Sequence, residues 1–122
     1  VAVTILTSLG VEDIAEVGYQ GEPAENVLRL AKLTNESGLD GVVCSPREAS
    51  DIRQQLGQDF LLVTPGVRPS SATKDDQRRV MTPADAIGAG SSYLVVGRPI
   101  TAADDPIQAL QAINAEVSES LR

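Results

Sequence analysis

FLLVTPGVRPSSATKDDQRRVMTPADAIGAGSSYLVVGR, residues 60–98, holds two short apolar β-rich runs, Phe60 to Thr64 and Tyr93 to Val96. Between them lie a polar loop and a helix start, Thr82-Pro83-Ala84-Asp85, with a capping hydroxyl and proline at the first helical position. The unit therefore reads β-loop-α-β. Two more runs of the same kind stand upstream, Val1 to Leu6 and Gly41 to Cys44. All four are nearly continuous in apolar residues, the pattern of strands covered on both faces, which favours parallel pairing over an antiparallel sheet with one wet face.

Helical segments fill the gaps. Ser45-Pro46-Arg47-Glu48 has an N-cap hydroxyl, proline at the first position and glutamate at the third, and Ala49, Ile52 and Leu56 follow as one apolar stripe before Gly57. Asp105-Pro106 opens a last helix whose Ile107, Leu110, Ile113, Val117 and Leu121 share a face, and Ala24, Val27, Leu28 and Ala31 do the same earlier. The order is β-α four times over. Repeated βα units lead either to an open doubly wound sheet or to a closed eight-stranded barrel. Such a barrel takes roughly 200 to 250 residues, and this chain has 122. The expectation is half of a (β/α)8 TIM barrel, a single domain over residues 1–122 with a lid loop at about 66–80.

Composition narrows the function. At 42 % hydrophobic residues the chain reads as globular, with no disorder signature. No apolar run reaches the roughly 20 residues that span a bilayer, and no charged-then-apolar leader is seen, so a soluble, cytoplasmic protein without a membrane partner is expected. One cysteine, Cys44, rules out an internal disulfide, and without histidine neither a conventional zinc site nor a Ser-His or Cys-His pair can be built. Val1 already lies in an apolar run, so the natural chain is expected to begin upstream.

The charge pattern points to an anion. From Gly66 to Arg98, Arg68, Lys74, Arg78, Arg79 and Arg98 stand against Asp75, Asp76 and Asp85, a local excess of positive charge in a chain of net charge −7. An acidic protein with half of its ten cations in so short a window has placed them for a local ligand and lacks the general basic surface of a nucleic-acid binder. All four strands end in small or polar groups: Thr7-Ser8, Cys44-Ser45, Thr64-Pro65-Gly66 and Gly97-Arg98. In a βα barrel those ends form the active face. Arginine's planar fork matches phosphate oxygens in two parallel hydrogen bonds, and glycine beside Arg98 lets backbone N–H approach without a Cβ in the way. The loop from Gly66 to Val80, with few large apolar residues, suits a lid that converts remote binding energy into closure. Arg78 and Arg79 read as solvated or paired with Asp75 and Asp76. Cys44 reads as a buried small hydrophobe and Ser45 as a helix cap.

With those residues laid out, the chain resembles the carboxy-terminal half of orotidine 5′-phosphate decarboxylase, strands five to eight, over its full length. The signposts are VTILTS, DGVVCSPREA, LLVTPGVRP, DQRRVMTPADAI and YLVVGRPIT, in that order. The resemblance implies that Arg68 and Arg98 hold the substrate phosphate with the Gly97 amide, that Gln77 of the lid bridges phosphate and pyrimidine, and that Thr7 contacts the base edge. It implies metal-free and cofactor-free decarboxylation of orotidine 5′-phosphate to uridine 5′-phosphate in a homodimer.

The family's decarboxylating Asp/Lys network, mostly in an Asp-x-Lys-x-x-Asp-Ile segment, is missing. Neither Lys32 nor Lys74 has Asp two before it or three after it, so no catalytic residue is nominated. The chain is expected to supply the grip and lid and to need the amino-terminal half as partner. Two other readings stand beside this one. One is a related sugar-phosphate decarboxylase of the same superfamily, metal-using and disfavoured by Gln77 and TPGVRP. The other is a non-catalytic phosphate-binding half-barrel that pairs with itself through its two open sheet edges.

Overall fold

The computed structural model describes residues 1–69 and 81–122. The elements are β1 (Ala2–Val3), α1 (Val11–Glu16), α2 (Pro23–Glu36), β2 (Gly41–Val43), α3 (Ala49–Leu56), β3 (Leu61–Thr64), α4 (Pro83–Ala89), β4 (Tyr93–Leu94), α5 (Arg98–Thr101) and α6 (Pro106–Ser120). The four strands pair in parallel in the order β1-β2-β3-β4, with Ala2 opposite Val42, Val42 opposite Leu62, and Val63 opposite Tyr93. That order decides between the two βα architectures. A doubly wound sheet reverses its strand order at a switch point, whereas a βα barrel adds every strand on the same side of the last. The fold is that of a (β/α)8 barrel, of which this chain forms four units.

Burial follows from the winding. Crossovers of one hand put every helix on the same side of the sheet. Val42, Leu62 and Thr64 are 0 % exposed beneath them, with Cys44 at 1 %, and Ile14, Val27, Ala31, Ala49 and Ile52 complete the layer. Alternate residues turn the other way, and β3 runs half-buried, buried, half-buried, buried. Parallel pairing is found as the apolar runs predict, and on that second face Val3 and Tyr93 are 62 % and 61 % exposed. In a barrel that second face is the interior, and four strands do not close around it. The strands are also shorter than their apolar runs suggest, since at two of them only two residues complete the ladder.

Local signals hold where they are self-contained. Thr82 Oγ1 accepts the Asp85 N–H at 3.1 Å and Asp105 Oδ1 accepts the Gln108 N–H at 3.0 Å, so both predicted caps form, each with proline behind it. Ser45 does not cap a helix, because α3 begins at Ala49 with Glu48 in the capping position. Its motif instead closes a turn ahead of the helix: the Glu48 carboxylate accepts the Ser45 N–H at 2.7 Å and Ser45 Oγ accepts the Arg47 N–H at 3.3 Å.

Two helices had no periodic signal, α1 and α5, each too short to show one. In α2 the buried stripe is Asn26, Val27, Ala31 and Thr34, while Ala24 is exposed. Asn26 takes its place by donating through Nδ2 to the carbonyls of Gln20 and Glu22, which ties the segment after α1 to the helix. Along α6 only Ile113 of the predicted stripe is buried; Ile107 and Leu121 are each 70 % exposed, and among the described residues the helix packs mainly against α4 and α5.

Candidate functional site: a rim of strand ends with two arginines

Because all four strands are parallel, their carboxyl ends lie on one rim. β3 and β4 are neighbours, so the segments that follow them, Thr64 to Arg68 and Val95 to Arg98, leave the sheet side by side. The Val95 N–H still donates to the Thr64 carbonyl at 3.0 Å, which extends the pairing past β4 towards Gly97. Beyond β3 the chain turns through Gly66, whose φ of 78° belongs to the left-handed region where glycine alone is unstrained. Val67, 0 % exposed, then bridges in parallel to Met81, and the Arg68 N–H donates to the Met81 carbonyl at 3.0 Å. That bridge and hydrogen bond join the two ends of the segment 68–81, within which most of the predicted lid lies. Arg68 is half-buried, and among the described residues its guanidinium donates to the Val67 carbonyl through Nη1 at 3.3 Å.

Gly97 and Arg98 sit where β4 gives way to α5. The Gly97 carbonyl accepts from Ile100 and Thr101, which starts that short helix, and Arg98 is its first residue, exposed at the rim. Pro99 follows in the first turn, where its missing N–H costs nothing. Among the described residues a Cβ built on Gly97 would meet nothing within 4 Å, whereas one on Gly41 would strike the Leu61 carbonyl at 2.1 Å. Gly41 is a packing glycine between β2 and β3, and Gly97 is not.

Thr7 belongs to the far edge of the same rim. It lies in a turn after β1, closed by the Leu9 N–H on the Leu6 carbonyl at 3.0 Å, and is exposed. Three strand spacings separate β1 from β4, about 14 Å along the sheet. The segments that carry Arg68 and Gly97-Arg98 thus follow neighbouring strands, whereas Thr7 follows the strand at the far edge of the same rim. Gln77, with Lys74, Arg78 and Arg79, lies outside the described residues, as does most of the predicted lid. Lys32 is exposed on α2, away from the rim.

Chemistry of the remaining candidates is structural. Cys44 is buried beneath the helices, and burial, with the nearby Glu48 carboxylate adding to it and Arg53 opposing, pushes its thiol up to about 12. Burial also raises the Glu48 carboxyl above its ordinary value, against the pull of the Ser45 N–H. Sequence reasoning missed Arg53. Its Nε donates to the Gly90 carbonyl at 2.9 Å, Nη1 to the carbonyls of Gly57, Gln58 and Phe60, and Nη2 to Ser92 Oγ at 2.8 Å, which in turn accepts the Leu62 N–H at 3.0 Å. This hub ties the amino ends of β3 and β4 to α3 and α4, on the side of the sheet opposite the two arginines. Nothing in the side-chain pattern marks it, since four of its partners are backbone carbonyls, Gly90 lying 37 residues away, and the fifth is the Ser92 hydroxyl 39 residues away.

Comparison with known proteins places the chain in a family. A profile described as the orotidine 5′-phosphate decarboxylase / HUMPS family matches residues 1–113. The chain belongs to this family. Within it, the orotidine 5′-phosphate decarboxylase of Hydrogenovibrio crunogenus is 66 % identical over 117 residues, 96 % of this chain and 50 % of that protein. The decarboxylase of Nitrosococcus oceani is 57 % identical over 118 residues, 97 % of this chain and 51 % of that protein. Among solved structures, orotidine 5′-phosphate decarboxylase from Lactobacillus acidophilus superimposes with a TM-score of 0.79 at 45 % identity, covering 94 % of this chain and 47 % of that one. The chain spans about half the length of the curated relatives it matches. Family membership and four βα units of an eight-unit fold agree on the same arithmetic.

Proposed function

We propose that this chain is the phosphate-gripping half of an orotidine 5′-phosphate decarboxylase, the carboxy-terminal four units of its barrel. The observation that carries the reading is the adjacency of β3 and β4, which sets TPGVRP and GRP side by side on the rim where a βα barrel works. Arg68 and Arg98 supply two guanidinium forks for the phosphate dianion, and Gly97, having no Cβ, admits phosphate oxygens to the backbone. Thr7, across the rim, suits the base end of the same nucleotide, and Gln77 of the lid bridges the two. The relatives named as orotidine 5′-phosphate decarboxylases, 66 % and 57 % identical, favour a nucleotide over a sugar phosphate.

In this reading the reaction releases carbon dioxide from orotidine 5′-phosphate, leaves a vinyl carbanion stabilised electrostatically, and protonates it from a lysine to give uridine 5′-phosphate. The Asp/Lys network of that step belongs to the amino-terminal half, and the working enzyme is a cytoplasmic homodimer of complete barrels without cofactor. Closure over the phosphate holds the reacting ring and excludes water. The test is a decarboxylase assay on this chain alone and mixed with the complementary half of the Hydrogenovibrio crunogenus relative. Activity in the mixture only is expected. A folded one-to-one complex without activity contradicts the assignment, and activity of the chain alone contradicts the placing of the lysine elsewhere.

A further inference from the structure

Both strands that lead to the candidate site enter the sheet past one guanidinium. Arg53 of α3 donates through Nη1 to the carbonyls of Gly57, Gln58 and Phe60, in the turn that delivers β3. Through Nε and Nη2 it donates to the Gly90 carbonyl at 2.9 Å and to Ser92 Oγ at 2.8 Å, in the turn that delivers β4. Ser92 Oγ also accepts the Leu62 N–H at 3.0 Å, while the Leu62 carbonyl accepts the Ser92 N–H at 2.8 Å. Ser92 thus satisfies both main-chain groups of Leu62, a residue whose complete burial keeps water from replacing either bond. Two residues further along β3, Thr64 Oγ1 donates to Ser91 Oγ at 2.9 Å, and both hydroxyls are buried. Gly90 belongs to the same fit, since its φ is 115° and a Cβ there would stand 2.7 Å from Arg53 Cγ.

These side-chain bonds matter because the ladder itself is short. β3 and β4 pair through Val63 with Tyr93 and Thr64 with Leu94. A slip of one residue would move one strand about 3.3 Å along the other and turn its side chains to the opposite face. Hydrogen bonds to a phosphate oxygen hold over only a few tenths of an ångström. We infer, resting on the phosphate reading of the rim, that Arg53 and Ser92 are positioning residues for the phosphate grip. They fix which residue of β4 stands against which residue of β3, and thereby how the Gly97-Arg98 segment is set relative to the segment that carries Arg68. Both act through the strands, from the end of the sheet opposite the rim, and neither touches the ligand. The Val95 N–H on the Thr64 carbonyl carries the same register on towards Gly97.

Calorimetric binding of uridine 5′-phosphate and of uridine to the chain assembled with its complementary half tests this, read as the ratio of the two affinities. Ser92→Ala removes the acceptor that Leu62 and Arg53 share and should lower that ratio about tenfold, with uridine itself changed by less than about twofold. Ser92→Thr returns the hydroxyl and should restore the ratio. Val27→Ala, which trims a buried side chain of α2 outside the β3–β4 pair, should leave the ratio alone even where its unfolding midpoint falls as far. Should Ser92→Ala fail to fold, Arg53→Lys, which keeps the cation and loses the fork, is read in the same way. An unchanged ratio in the folded variant, an equal loss in Val27→Ala, or no recovery with Ser92→Thr would overturn the inference. Failure of the phosphate reading would show itself differently, as an unsubstituted assembly that binds both ligands alike. Nitrogen-15 amide spectra of the chain then decide: Ser92→Ala should displace the Val95, Gly97 and Arg98 signals and Val27→Ala should not, and unmoved signals in Ser92→Ala would overturn the inference.

Discussion

Cys44 and Arg53 show how far burial alone separates structural from chemical roles. The thiol ordinarily ionises near 9.0, and here burial moves it to about 12. Between those values the folded chain keeps a proton that the unfolded chain loses, so stability falls as pH rises above 9.0 and the loss is complete near 12. Cys44→Ala should lose stability at neutral pH by about 1 kcal/mol through lost packing, yet show a flatter decline above pH 9; urea unfolding across that range measures it. Thiol reagents should reach native Cys44 only at the rate of opening. For Arg53, substitution by Met keeps the stem and removes the donors of a group that five acceptors share. Leaving those carbonyls without a partner should cost roughly 3 kcal/mol, read as a lowered denaturation midpoint; a loss under about 0.5 kcal/mol would mean water replaces the guanidinium. The buried character of Cys44 was legible from the run GVVC, but the Arg53 hub was not, because a hydrogen bond to a distant backbone carbonyl leaves no trace in side-chain pattern.

At the scale of elements, legibility tracks how local the determining interaction is. The starts of α4 and α6 were read correctly because the capping oxygen and the N–H it accepts are three residues apart. Thr82→Ala and Asp105→Ala should each cost about 1 kcal/mol, and their effects should add in the double variant, since separate helix ends are involved; calorimetric or urea unfolding gives both numbers. The Ser45 motif was misread as a cap although its hydrogen bonds form, because the same four residues can close a free-standing turn and only the backbone beyond Glu48 decides. The stripe of α6 is real as a period, yet its burial depends on which elements lie alongside, and that is fixed by the rest of the fold. For the candidate site, Arg68, Gly97 and Arg98 were legible as strand-end residues with the right chemistry. That their strands are neighbours was not, since strand order is set by the whole sheet.

For the whole molecule, strand order is the decisive quantity. Consecutive parallel neighbours put all helices on one side, turn the other side into a barrel interior, and gather every strand end on one rim. The apolar runs announced parallel strands, and the chain length announced half a barrel. What they could not announce is the strand order itself, since continuous apolar strands read the same in a doubly wound sheet and in a barrel. The central claim is that Arg68 and Arg98 on this rim grip a nucleotide phosphate. Its most direct test is calorimetric binding of uridine 5′-phosphate and of uridine to the chain assembled with its complementary half, before and after Arg98→Ala. Loss of a charged hydrogen-bonding fork should weaken uridine 5′-phosphate by about 2–3 kcal/mol, roughly 30- to 150-fold, and leave uridine unchanged. Equal weakening of both ligands would remove Arg98 from the phosphate site and contradict the account.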